Sequence, residues 1–225
     1  MQKISTVNSP RSTVVCGSWI IMNREIFNAV ADGLANNGYA VTEHFLSHEE
    51  VRNILLAPPF AMPGDFKKAG IGHNKQLQIN ESVRGDYIQW IDQATALAPL
   101  QVYLRRLHDL RVFLNENLFL SLKDCEIHCT VYPIGTFYKR HIDQFKTNDH
   151  RKLSVICYLN DGWQATHGGQ LRIYVDNKQF DVLPEAGRLV CFRSDLLEHE
   201  VLPATRERKS ITGWMLDQWV DLKQL

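Results

Sequence analysis

No run of this sequence is apolar for long enough to cross a bilayer. The one signal-like stretch, Val14 to Met22, contains Gly17 and Ser18 and lacks a small-residue cleavage site. A spanning helix needs about 20 apolar residues. Net charge is missing too. Lys+Arg and Asp+Glu are both 25, so no long-range field recommends nucleic acid or a membrane surface as partner. Nor is there a disulfide framework. The five cysteines, Cys16, Cys125, Cys129, Cys157 and Cys191, are odd in number, form no CxxC pair and sit mostly in apolar runs. Buried free thiols in a reducing compartment explain that pattern, so the chain is expected in the cytoplasm. Internal repeats and low-complexity segments are also lacking.

What is present is a chain with 44% hydrophobic residues, enough to fill the core of one domain. Residues 1–22 read as a loose N-terminal tail and 23–225 as a single domain. From Asn23 to Asn37, Ile26, Phe27, Val30, Ala31 and Leu34 keep helical spacing, and Gly38 stands where a C-terminal cap belongs. An extended stretch from Tyr39 to Phe45 follows. Ser47 and Glu50 then make a capping box before Val51, Ile54 and Leu55. Ala94 to Asn117 predicts a longer helix with Leu97, Leu100, Leu104, Leu107, Leu110 and Leu114 on a core-facing stripe. Between these helices, Pro58 to Gly85 is rich in glycine and lysine, and too long for a plain connection.

The second half changes period. Eight strands are expected: Glu126–Tyr132, Phe137–Ile142, Lys152–Leu159, Gln170–Val175, Gln179–Val182, Arg188–Arg193, Glu198–Leu202 and Ser210–Leu216. Turn signals such as Asn160-Asp161-Gly162 and Gly168-Gly169 separate them. The expected fold is α+β: a double-stranded β-helix (jelly roll) over 118–217, with helical support from 23–117 covering one sheet.

Nine histidines make metal chemistry worth testing. His141 and Asp143 are two apart at the end of a predicted strand, which aims imidazole and carboxylate to one side. An isolated pair of this kind is usually a surface histidine beside a solvated aspartate. His199, on another strand, changes the weighing. Two histidines and one carboxylate form the facial triad of non-haem iron(II) oxygenases, although catalytic zinc accepts the same ligands. In Arg208 to Trp214, alternation puts Arg208, Ser210, Thr212 and Trp214 on one face, and Lys209, Ile211 and Met215 on the other. The bland reading turns Ile211 and Met215 inward and leaves Arg208 in solvent. If the polar face lines the barrel instead, the Arg208 guanidinium can grip the far carboxylate of 2-oxoglutarate. Tyr158 can add a phenolic donor. Cys125, His128 and Cys129 look metal-like, but on a strand His128 points away from both thiols.

The run Tyr132-Pro-Ile-Gly-Thr-Phe-Tyr138-Lys-Arg-His141-Ile-Asp143 resembles the metal-binding segment of prolyl 4-hydroxylase-type dioxygenases. Ile156-Cys-Tyr158-Leu-Asn160, Gly168 to Tyr174 and His199 through Arg208 to Trp214 continue it in order. Arg84-Gly-Asp86-Tyr-Ile-Gln-Trp90 resembles a segment of the hypoxia-type prolyl hydroxylases and their bacterial relatives. Collagen-type members carry Lys where this chain has Arg208, and the turn Pro133-Ile-Gly135 is shorter than its hypoxia-type equivalent.

The resemblance implies iron(II) on His141, Asp143 and His199, with dioxygen and 2-oxoglutarate as cosubstrates and L-ascorbate as reductant. It implies Arg208 and Tyr158 on the 2-oxoglutarate tail, Tyr132, Ile156 and Leu171 lining that pocket, and Trp214 near the mouth. The substrate would be a prolyl residue, at C4, in a protein loop, and in the bacterial branch the partner would be a translation elongation factor. Asp86 needs a counter-charge near a partly dry mouth, and Arg151 is the candidate, completing a substrate-binding set of Asp86, Arg151 and Trp214. The segment Pro58 to Gly85 is expected to fold over a bound polypeptide, which would protect residues 62–84 from hydrogen exchange. Two other readings stay open: the same chemistry on a small molecule or free amino acid, and a non-catalytic metal- or oxo-acid-binding barrel.

Overall fold

The computed structural model describes residues 13–70, 79–144 and 149–220, with side chains from Met22 onward. Three helices precede and flank two antiparallel sheets. Helix α1 (Thr13–Asn37) leads into β1 (Tyr39–Thr42), α2 (His48–Leu55), β2 (Lys67–Lys68), β3 (Tyr87–Trp90) and α3 (Ala98–Leu118). The strands β4 (Asp124–Tyr132), β5 (Tyr138–His141), β6 (Arg151–Tyr158), β7 (Leu171–Val175), β8 (Lys178–Val182), β9 (Leu189–Arg193), β10 (Glu198–Val201) and β11 (Arg208–Leu216) follow. The larger sheet runs β1-β9-β6-β11-β4-β3-β2 and the smaller β5-β10-β7-β8. This is the expected double-stranded β-helix, and each of the eight expected strands is one of β4 to β11.

Strict alternation gives the larger sheet two working faces. Leu153, Val155, Cys157, Cys125, Ile127, Cys129, Leu189, Cys191, Ile211 and Met215 all face the helices. There they meet Ile26, Phe27, Val30, Ala31 and Leu34 of α1, and Leu100, Tyr103, Leu104, Leu107, Leu110 and Leu114 of α3. The intervening residues Ile156, Tyr158, Val190, Phe192 and Tyr132 turn to the other side and form a second core with Leu171, Ile173, Val182 and Val201 of the smaller sheet. Burying a side chain of this size is worth about 1.5–3 kcal/mol, so both faces pin the register of the central strands.

Local chemistry sets the helix ends. Gly38 takes φ 77° and its N–H reaches Leu34 O at 3.1 Å, the left-handed stop expected of glycine. The Ser47–Glu50 capping box is formed in both directions, at 3.2 and 2.8 Å. Glu50 also takes Arg106 of α3 on both oxygens, at 2.7 and 3.1 Å. Burial raises the Glu50 carboxyl pKa, but the bonds from Arg106 and Ser47 hold it below its ordinary value.

Four expectations need correction. The first helix begins at Thr13, so the tail assigned to residues 1–22 is helical from there; residues 1–12 lie outside the described residues. Leu97 is not on the core stripe but is the N-cap of α3, extended and 50% exposed, because Pro99 fixes the first helical turn just after it. The segment Pro58 to Gly85 is not all loop: Lys67–Lys68 pairs with Tyr87–Ile88 at the sheet edge. Its middle, residues 71–78 with His73, lies outside the described residues. Asp143 lies just past the end of β5 rather than on it.

Candidate active site

The two sheets open onto a cavity of about 710 Å³. The strand registers organise its wall in rows. Trp214 stands opposite Ser154 and Glu126, Thr212 opposite Ile156 and His128, Ser210 opposite Tyr158 and Thr130, and Arg208 opposite Tyr132. The polar face of β11 therefore does line the barrel, while Ile211 and Met215 belong to the helix-side core.

His141 on β5 and His199 on β10 are direct cross-strand partners. With Asp143 they offer ligand atoms that all lie within 4.8 Å of one another, the one such cluster among the described residues. Asp143 Oδ1 is 3.4 Å from His141 Nε2, and Oδ2 is 3.7 Å from His199 Nε2. His141 Nδ1 meets Lys139 O at 2.7 Å and His199 Nδ1 meets Leu197 O at 3.2 Å. A carbonyl only accepts, so each Nδ1 carries the hydrogen and each Nε2 keeps a lone pair for a metal. Burial raises the Asp143 carboxyl pKa, but His199, His141 and the Ser154 hydroxyl hold it well below the carboxylate range. His199 is pushed down to about 4 by burial, against the pull of Asp143, so its imidazole stays neutral and able to ligate.

Arg208 is 2% exposed. Its Nε donates to Gly169 O at 3.0 Å, and its Cζ lies 5.0 Å from the Tyr132 ring centroid and 4.9 Å from that of Tyr158. Arg208 Nη2 and Tyr158 Oη are buried without a hydrogen-bond partner among the described residues. Such orphans are uncommon and costly in native proteins. An anionic ligand beside Arg208 would satisfy them. Tyr132, Ile156, Leu171 and Val201 line this part of the cavity; Tyr158 is fully buried against Arg208 rather than on the cavity wall.

The mouth departs from expectation in one pairing. Asp86 is 1% exposed and lies at the cavity, but its counter-charge is Arg84, bonded to both carboxylate oxygens at 2.7 and 2.6 Å. Arg151 instead holds Glu126 at 2.8 and 3.1 Å and lies 3.5 Å over the Trp214 ring. The physical reason is proximity along the chain just before β3: residues 84 and 86 are near neighbours, whereas Arg151 opens β6 near the buried Glu126 of β4. Trp214, Asp86 and Arg151 all border the cavity.

Several residues at or behind the cavity wall carried no role in the sequence. Ser154 donates to Asp143, Tyr138 stacks on His141, and His128 sits in an aromatic cluster with Trp90 and Trp214. His128 is pushed down to about 3, first by burial, with the charges of Arg84 and Arg151 adding to it. The signal for His128 was the strand alternation that turns it away from Cys125 and Cys129.

Residues 127–216 match the family model of the 2OG-Fe(II) oxygenase superfamily. A Pseudomonas putida prolyl-4-hydroxylase crystal structure is 41% identical, with a TM-score of 0.77, over 86% of this chain and 100% of that one. A Trichoplax adhaerens prolyl hydroxylase, solved with a peptide fragment of the hypoxia inducible factor oxygen degradation domain, is 29% identical with a TM-score of 0.78, over 92% and 94%. The hypoxia-inducible factor prolyl hydroxylase of Caenorhabditis elegans is 30% identical over 88% of this chain, which spans only 29% of that longer protein. Fold, ligand cluster and similarity agree: this chain belongs to the 2OG-Fe(II) oxygenase superfamily and is similar to its prolyl hydroxylases.

Proposed function

We propose that the chain hydroxylates a prolyl residue, at C4, in a protein substrate, using iron(II), dioxygen and 2-oxoglutarate. The observation that carries this reading is a cavity with the His141–Asp143–His199 cluster on its wall and, beside it, the buried and unpartnered donors Arg208 Nη2 and Tyr158 Oη. In this reading His141 Nε2, His199 Nε2 and one Asp143 oxygen would hold the iron. Arg208 and Tyr158 bind the far carboxylate of 2-oxoglutarate, with Tyr132, Ile156 and Leu171 packed along its carbon chain. The chemistry that iron(II) would supply there is coupled decarboxylation of 2-oxoglutarate to succinate and carbon dioxide by dioxygen, one oxygen atom going to succinate and the other to a substrate C–H bond. The protein's work is to orient ligands, keep water out and present the substrate carbon.

Asp86, Arg151 and Trp214 line the cavity and are assigned to the substrate. The Trichoplax relative, solved with a peptide, supports a polypeptide over a free amino acid. A loop of a translation elongation factor is the partner named by the bacterial resemblance, with ascorbate as reductant and the cytoplasm as the site of action. Among the described residues no helix is long and apolar enough to cross a membrane. The reading is tested by succinate formation from 2-oxoglutarate, and by mass spectrometry of host proteins for one added oxygen on proline. His141→Ala and His199→Ala should each abolish turnover. Retained turnover in either would remove the metal assignment, and exclusive hydroxylation of free proline would move the enzyme to small molecules.

A further inference from the structure

We propose that Tyr138 is a positioning residue for the metal ligand His141, and that the Arg84–Asp86 ion pair holds Tyr138 in place. The inference rests on the reading of His141 as a ligand. It begins with an asymmetry between the two imidazoles. His199 lies on β10, an inner strand of the smaller sheet, paired to His141 on one side and Ile173 on the other, with Phe192 packed edge-on at 4.7 Å. His141 lies on β5, the edge strand of the smaller sheet, which pairs with β10 along one side and on the other meets only an isolated bridge from Arg84 to Tyr138; the His141 side chain is 17% exposed against 4% for His199. The Nδ1 bond to Lys139 O fixes one point of the His141 ring. It does not fix the plane.

Tyr138 supplies the plane. Its ring stacks on His141 with centroids 3.6 Å apart and 17° between planes. The Arg84 guanidinium lies over the Tyr138 ring, 4.2 Å from the centroid, a cation–aromatic contact that strengthens away from water. Arg84 is itself immobilised by the two bonds to Asp86, and a third runs from its Nη1 to Gly70 O at 3.2 Å. The backbones are laced together where this happens: Gly85 N–H donates to Phe137 O and Lys139 N–H to Val83 O, both at 2.9 Å. A Cβ on Gly85 would lie 2.8 Å from Thr136 Cβ, so only glycine permits the approach. Carboxylate, guanidinium, phenol and imidazole thus follow in series toward the ligand, beside the single bridge that ties Arg84 to Tyr138 of β5.

Partners that orient metal-ligating histidines typically change metal affinity about 10–100-fold when removed. The test uses the full chain and Co²⁺, followed by calorimetry and by the visible absorption of the bound ion. Tyr138→Leu should weaken Co²⁺ binding by about 10–100-fold and alter the spectrum, while Tyr138→Phe, which keeps the ring, restores both. The Arg84→Gln/Asp86→Asn double variant removes both charges without stranding a carboxylate, and should shift the spectrum the same way. Added to Tyr138→Leu it should cause little further loss, because the pair acts through the ring. Wild-type affinity and spectrum in Tyr138→Leu would overturn the proposal, as would an equal loss in Tyr138→Phe. Should Tyr138→Leu not fold, an unchanged spectrum in the double variant overturns it alone. A wild-type chain that binds no Co²⁺ would instead remove the underlying ligand assignment.

Discussion

Ser154 donates its hydroxyl to Asp143 Oδ2 at 2.6 Å, tying the carboxylate between the two imidazoles to an inner strand of the larger sheet. Ser194 meets Ser154 Oγ at 2.9 Å, so the bond is backed by a second hydroxyl. Hydrogen bonds to charged groups contribute about 1.5–3 kcal/mol. Ser154→Ala should therefore weaken divalent-metal binding by about tenfold or more at unchanged 2-oxoglutarate stoichiometry, as measured by calorimetry. Unaltered metal affinity would mean that Asp143 is oriented by something other than Ser154.

Arg208 and Lys209 are adjacent and face opposite ways. Arg208→Ala should weaken 2-oxoglutarate binding by about 1.5–3 kcal/mol, the cost of losing bonds to a charged group. Lys209, whose Nζ pairs with Glu207 at 2.9 Å on the half-exposed side, should tolerate alanine. Titrating both variants with 2-oxoglutarate decides this, and reversed phenotypes would invert the assigned faces of β11.

Gly169 sits at φ +70°, and a Cβ there would lie 2.9 Å from Ala204 Cβ and 3.4 Å from Arg208 Cδ. Left-handed backbone costs a non-glycine residue about 1–3 kcal/mol. Gly169→Ala should lower the melting temperature and raise the KM for 2-oxoglutarate together, because the carbonyl of this same residue holds Arg208 Nε. A loss of stability with no change in KM would separate the two effects.

His128 gives acid sensitivity with a defined sign. Its folded-state pKa is pushed down to about 3 from 6.5, so below pH 6.5 the unfolded chain takes up a proton that the folded chain refuses. Stability should fall as pH drops from about 6.5 toward 3, by up to about 1.4 kcal/mol per unit from this group, and be flat above. His128→Leu should remove about one proton from that slope. Urea midpoints across the range measure it, and an identical slope in the variant would assign the acid limb elsewhere.

The strands of the larger sheet could be read because each alternates between a helix-side core and an inward face, and those of the smaller sheet because buried inward residues alternate with more exposed ones, so that period two survives in sequence. The same alternation made the Arg208 face legible, and already turned His128 away from the cysteines. β2 and β3 were not legible: two lysines and the short run Tyr87–Trp90 carry no periodic signal, and their pairing depends on β4 as a template. The partner of Asp86 was misassigned because composition supplies the need for a cation but not which of two arginines the backbone brings near. Ser154 and Tyr138 escaped notice because their contacts with Asp143 and His141 depend on chain crossings and ring planes.

Cys125, Cys129, Cys157 and Cys191 are all buried and free, and all lie on the helix side of the larger sheet. Burial pushes the Cys125 thiol up to about 12 and the other three higher still. The cavity on the reverse face is bordered, among the described residues, by tryptophan, tyrosine and histidine but by no sulfur. One layer of hydrogen-bonded backbone thus separates these four thiols from the proposed iron site. Wear from repeated idle cycles would accordingly be written on the indoles and phenols of the cavity, Trp90, Trp214, Tyr132 and Tyr138, while the thiols behind the sheet stayed reduced.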